Sequence, residues 1–288
     1  MPRLPAATLF LSAVFLITAM SAIVRLLSAE LPIGQILFWR SAGAVVPIVG
    51  YMMLRGEFPA AFGTRHPGLH VTRSLFGVLS MALSLVSLAY LTVATAQALA
   101  YLAPVLTLPM AALLAGERIS GKIVLATQTG LAGVLLMLGE PLTLPGTDRM
   151  IGVAAGLGFA LTMAFVRVHV RSMTRTERPT TIAFYFALTG SVAGLATAPF
   201  GWVTPDAATL GWLLAAGLLG GAAHVLSAEA VARAPVSRLA PLEYTGLLWA
   251  LGFDLVLFGD VPTGYGAAGA AAILAAVALA TSRPSRRG

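Results

Sequence analysis

Apolar positions along this chain come in long blocks separated by short polar stretches, with no residue-by-residue alternation inside the blocks. They lie at roughly 4–27, 33–54, 72–90, 94–115, 123–139, 150–169, 180–200, 208–231, 239–259 and 265–281. A helix needs about 20 apolar residues to cross the hydrocarbon core of a bilayer, and most of these blocks are near that length. Only helices and closed barrels satisfy their backbone in lipid, and unbroken apolar runs lack the two-residue period of barrel strands. The pattern therefore predicts an all-α integral membrane protein with ten transmembrane helices. The longest polar connections, about 55–71 and 170–179, are short, so no water-soluble domain is expected between the helices.

The pattern also repeats. Residues 93–139 and 236–281 follow one template at an offset of 143, which places Val93 on Val236, Leu99 on Leu242, Tyr101 on Tyr244, Gly116 on Gly259, Glu117 on Asp260 and Gly121 on Gly264. The offset is about half of the 288 residues, so the chain divides into repeats at 1–140 and 141–288 with five helices each. Five is odd, and the second repeat must run inverted with respect to the first. Inverted repeats are an architecture from which alternating-access transporters are built.

Composition fixes the solvent. Apolar residues make up 58% and charged residues 10%, against about 25% charged in a soluble domain. The chain has no cysteine, which removes disulfides, thiolate metal sites and cysteine nucleophiles. The net charge of +7 sits between apolar blocks rather than on a polar face, so it points to topology and not to nucleic acid. With the amino terminus in the cytoplasm, 15 of the 18 basic residues fall inside: Arg3; Arg55, Arg65 and Arg73; Arg118 and Lys122; Arg167, Arg171, Arg175 and Arg178; Arg233 and Arg238; Arg283, Arg286 and Arg287. Arg149 is outside, and Arg25 and Arg40 are within helices. The positive-inside rule then puts both termini in the cytoplasm and the protein in the cytoplasmic (inner) membrane. Residues 1–27 read as the first span rather than a cleaved signal, since the apolar run exceeds a signal core and its loss would spoil the five-plus-five symmetry.

Three motifs carry a family resemblance: AYLAPVLTLPMAALLAGERIS in the fourth helix, LFWRSAG in the second and APLEYTGLLWALGFDLVLFGDVPT in the ninth. With them the chain resembles the drug/metabolite transporter superfamily, specifically tandem EamA-type domains, over nearly its whole length. RSLFGVLSMALSLVSLAYLTVATA is similar to the third helix of members proposed to carry riboflavin, S-adenosylmethionine or related metabolites. Two features depart from the family pattern. Asp260 stands where the family usually has Glu, and Pro241 sits six positions earlier in its repeat than Pro104. The resemblance implies a secondary transporter of a small organic metabolite (amino-acid-, vitamin- or nucleoside-like), proton-coupled or exchanging, in a lipid bilayer. A lipid flippase or scramblase and a facilitator without ion coupling are the alternatives. One fold hosts many ligands, so the resemblance names no substrate.

Charged groups inside a bilayer are expensive and are functional candidates by default. Arg40 and Asp254 both lie roughly 7–11 Å below the outer end of their helices at 1.5 Å per residue, so the sequence offers them as a charge pair, structural or at the substrate. Arg25 is near enough to the surface to snorkel. Glu229 is four residues before Arg233, the spacing of an ordinary helical ion pair. Glu243, about one turn into the ninth helix behind Pro241, is the proton-coupling candidate, with a structural role beside Arg238 as the alternative. Tyr101 and Tyr244 occupy matching repeat positions and are expected as opposed gates in the outer and inner halves. Gln97 is one turn before Tyr101 on the same face. Trp249, Phe159 and Met163, together with Trp39 and Tyr90, offer an apolar wall, and His224 is a mid-helix group for substrate or proton relay. Gly152 with Gly156 and Gly217 with Gly221 have the spacing of close helix contacts. Pro47, Pro104, Pro109 and Pro241 are bend points, or part of a homodimer interface.

Catalytic signals are weak. His66 and His70 have the spacing of a helical metal pair, but Pro67 and Gly68 between them oppose a helix and no third ligand is evident. No GxSxG elbow and no GxxxxGK[ST] loop occurs. The expectation is a protein that is not an enzyme and takes no cofactor and no metal.

Overall fold

The structure is a computed structural model, and it describes residues 4–27, 30–90, 99–138, 147–258 and 264–281. Among these residues every regular element is a helix. In chain order they are α1 (Ala6–Leu27), α2 (Ile33–Leu54), a short 3-10 turn (Ala60–Phe62), α3 (Pro67–Tyr90), α4 (Ala103–Ala115), α5 (Gly121–Leu138) and α6 (Thr147–Met173). There follow α7 (Pro179–Leu195), α8 (Ala207–Arg233), the one-turn α9 (Val236–Leu239), a 3-10 stretch (Ala240–Tyr244), α10 (Thr245–Phe258) and α11 (Gly264–Thr281). Among the described residues, four helices have the length and apolar content to cross a membrane: Ala6–Val24, Ile33–Leu54, Met150–Met173 and Ala207–Arg233.

Local chemistry sets several boundaries. Pro67 and Pro179 open α3 and α7, where a missing N–H costs nothing. Gly116 ends α4 in the left-handed region at φ 64°, a conformation only glycine adopts cheaply.

Three expectations change. The apolar block 239–259 is not one helix: it is broken into α9, the 3-10 stretch and α10, because Pro241 has no N–H to donate and its ring crowds the preceding turn. Pro67 and Gly68 do not prevent a helix; α3 starts at Pro67, which leaves His66 ahead of it and only His70 on it. Both α3 and α6 extend further than the blocks at 72–90 and 150–169, which draws Arg73 and Arg167 into helices.

The helices fall into two compact units, each drawing on both sequence repeats. Unit 1 comprises Met1–Leu75 and Val170–Arg233, and unit 2 comprises Phe76–His169 and Ala234–Gly288. In unit 1, α8 packs against α1 and α2, and α2 also packs against α7. Small residues allow it: a Cβ on Gly217 would lie 2.7 Å from the Gly43 Cα, and one on Gly221 would strike the Ala44 carbonyl. Close backbone approach through small residues holds helices together where apolar burial gives no drive. Ala44, Ile48, Met52, Ala183, Ala187 and Val225 fill this contact. Buried Gln35 on α2 donates to the Val203 carbonyl at 2.6 Å and accepts from the Val203 N–H at 3.0 Å, which pins the α7–α8 connection. Arg171 donates to the carbonyls of Val231 and Ala232 at 2.7 and 2.9 Å, closing the end of α8.

In unit 2, the repeat-related α5 and α11 lie along each other. A Cβ on Gly133 would meet the Gly269 carbonyl at 2.8 Å, and Val134, Tyr244 and Ile273 form a buried core beside it. Ser80 on α3 donates to Thr162 on α6 at 2.8 Å, a polar tie in an apolar setting.

Candidate functional site

Unit 2 contains two helix interruptions at matching repeat positions. Leu99 and Ala100 are helical, Tyr101 and Leu102 form a turn, and α4 restarts at Ala103 with Pro104 in its first turn. The counterpart is the 3-10 stretch Ala240–Tyr244 ahead of α10. Interrupted helices free backbone groups and turn side chains out of the helical register, and in inverted-repeat transporters they mark the substrate site.

These interruptions deliver Tyr101, Glu243 and Tyr244 to one place. The Tyr101 and Tyr244 rings lie with centroids 5.9 Å apart and planes inclined at 41°. They are therefore neighbours, not the separated gates that matching positions in inverted repeats suggested. Tyr244 is completely buried, its ring seated on the bare backbone of Gly130 in α5. Glu243 pairs with Arg167 from α6, and not with Arg238. The pair is incompletely used: Arg167 Nη1, Glu243 Oε2 and the Tyr244 hydroxyl are buried and have no hydrogen-bond partner among the described residues. A guanidinium donor, a carboxylate acceptor and a phenol thus stand together with free valence. Buried polar groups of that kind are costly unless a ligand or a change of state satisfies them.

Phe159 and Met163 are half-buried on α6, and Trp249 is exposed on α10. Gln97 and the side chain of Asp254 lie outside the described residues, as do those of Tyr90 and Arg25. Glu229 binds Arg233 at 2.7 Å, as its spacing implies, and also accepts from the Tyr51 hydroxyl at 3.3 Å. Among the described residues no cluster suited to a metal ion occurs, and His70 instead faces Glu177 at 3.6 Å.

In unit 1, Arg40 and His224 line one narrow cavity with Ser41 and Phe186. Arg73 from α3 lays its guanidinium 4.0 Å from the Phe186 ring centre, and His224 meets the same ring edge-on at 4.9 Å. Charge counting missed both Arg73 and Arg167, which it placed with the loop arginines. Both lie within three residues of the end of an apolar run, and only the helices, which extend six residues past them, place them inside.

The EamA-like transporter family matches this chain at residues 4–139 and again at 150–282. The chain belongs to the EamA-like transporter family. As a member it is a multi-pass membrane transporter of small molecules, and the tandem resemblance read from its motifs holds. It is similar to a pseudopaline exporter of Pseudomonas aeruginosa, 27% identical over 278 residues that cover 94% of each chain. It is also similar to a riboflavin transporter of Vibrio cholerae, 28% identical over 263 residues, 89% of this chain and 86% of the relative. A solved crystal structure shares the fold with a TM-score of 0.81 at 23% identity over 96% of each chain.

Proposed function

We propose that this EamA-like protein is a secondary transporter that moves a small organic metabolite across the cytoplasmic membrane by alternating access, with ten spans and both termini in the cytoplasm. The observation that carries this reading is the pair of repeat-related helix interruptions at Tyr101 and Tyr244, closed around the half-satisfied Arg167–Glu243 pair. Relatives whose names specify pseudopaline and riboflavin support an organic cargo. In the proposed cycle the substrate's polar group takes up the spare donor of Arg167, and Glu243 exchanges Arg167 for a proton. A protonated Glu243 is cheap to occlude, whereas an ionised one released from Arg167 favours a state open to water. Tyr101 and Tyr244 enclose the substrate, with Gln97 beside Tyr101 and Phe159, Met163 and Trp249 as apolar contacts.

Purified protein in proteoliposomes tests the reading, with the cargo chosen as the metabolite giving the largest thermal stabilisation in a screen. A pH gradient should drive its accumulation in the wild type. Glu243→Gln should abolish that accumulation and retain exchange of substrate across the membrane, because exchange moves no net proton. Unchanged proton-driven uptake by the variant removes Glu243 from the mechanism, and wild-type uptake that ignores the gradient identifies a facilitator.

A further inference from the structure

The cavity of unit 1 carries a second inference, which rests on the transport reading and adds a chemical class of cargo. Arg40 on α2 and His224 on α8 line the cavity with Phe186, and Arg73 on α3 lays its guanidinium over the same ring. Arg40 is half-buried and lines the cavity. Arg73 is half-buried as well, and its buried Nε has no acceptor among the described residues.

Unit 1 has five carboxylates, and all are engaged elsewhere or exposed. Glu57 binds Arg55 and the Thr180 hydroxyl, Glu177 binds Thr64 and His70, and Glu229 binds Arg233 and Tyr51. Asp206 caps the start of α8 through the Thr209 N–H, and Glu30 is exposed. Two guanidinium groups are therefore held in an apolar helical unit with no acid from that unit against them. The face of Phe186 offsets a fraction of the Arg73 charge, since a cation over an aromatic ring is attracted by about 1–2 kcal/mol. Arg40 has no such aromatic face among the described residues. A built cationic pocket inside a membrane protein calls for an anion that comes and goes.

We infer that this cavity is a carboxylate subsite, in which Arg40 with Ser41 and His224 receives the carboxylate of the transported metabolite while Arg73, across Phe186, supplies the second positive charge. The cavity is water-sized as it stands, so it admits a head group and not a whole metabolite. Guanidinium suits this duty because its planar fork matches the two oxygens of a carboxylate.

The test uses the full chain in phosphatidylcholine nanodiscs, in buffer free of chloride and phosphate. Thermal stability is measured with acetate, lactate and succinate against acetamide, lactamide and succinamide. The acids should raise the melting temperature and the neutral amides should not. Arg40→Lys should weaken the apparent affinity about tenfold or more by losing one hydrogen bond to a charged group. Arg40→Gln should abolish the shift and, without ligand, melt above the wild type, because it deletes an uncompensated charge. An Arg40→Gln variant that melts lower and keeps the acid-induced shift would reveal a structural partner such as Asp254 and overturn the inference. Equal effects of acids and amides, or an equal rise with inorganic phosphate, would overturn it as well; the wild type alone decides these even if the variants fail to fold. None of these readings requires flux, so failure here leaves the transporter reading in place, and absence of flux leaves the subsite in place.

Discussion

Thr64, His70 and Glu177 show how a single carboxylate outside the apolar helices is tuned. Burial pushes the Glu177 carboxyl up, but the Thr64 hydroxyl at 2.8 Å, the His70 ring and the His66 N–H together hold it below its ordinary value of 4.5. A folded-state value below the unfolded one means that Glu177 contributes stability at pH above about 4.5, and that this contribution disappears as the pH falls through the lower folded value. Thr64→Val removes a donor to a charged group and should cost about 1–2 kcal/mol at neutral pH. Melting curves from pH 7 to pH 3 should show that gap narrowing in acid; a gap constant to pH 3 would mean that the carboxylate is not involved. The same scale shows what a linear reading reaches. Glu243, Arg40 and His224 were legible because a polar group in an apolar run is conspicuous. Arg73 and Arg167 were not, because an arginine near the end of an apolar run looks like any loop charge until its helix is seen to continue past it and its side chain to meet Phe186 or Glu243.

At the scale of elements, the extents of most helices were legible, since apolar runs and their terminal prolines and glycines are local signals. The break inside 239–259 was announced only by Pro241, and its consequence depends on what satisfies the freed backbone. Here Glu117, at the end of α4, accepts from the N–H groups of Val236 and Ser237 at 3.0 and 3.1 Å. That carboxylate caps α9 from the α4–α5 connection, a role invisible in sequence because the partners are 119 and 120 residues apart. Glu117→Ala should strand two donors and destabilise the protein by about 1–2 kcal/mol, within the range for losing a helix cap. Glu117→Gln keeps one acceptor and should cost less. Thermal unfolding in detergent reads the difference, and equal melting of Glu117→Ala and wild type would show that the α9 start needs no cap.

At the scale of the molecule, the tandem repeat was legible: the EamA-like family matches the chain twice, at residues 4–139 and 150–282. The two spatial units were not legible, because each combines helices from both repeats, a pairing decided by side-chain fit rather than by any periodicity. Topology belongs to this scale too. Arg73 and Arg167 lie six residues inside the ends of α3 and α6; setting these two aside leaves thirteen of the fifteen basic residues read as inside, against Arg149 outside, so the bias survives the correction. Short helices such as the 13-residue α4 span only about 20 Å at 1.5 Å per residue. The proposed ten spans therefore require such helices to cross the bilayer together with the interrupted segments before them. The chain has no native cysteine, so single cysteines at Gly63, Thr176 and Pro205 give a clean test. With both termini cytoplasmic, an impermeant thiol reagent applied to intact cells should label the Pro205 position alone, and permeabilised cells should label all three. Labelling at Thr176 in intact cells would place the α6–α7 connection outside and overturn the inferred orientation.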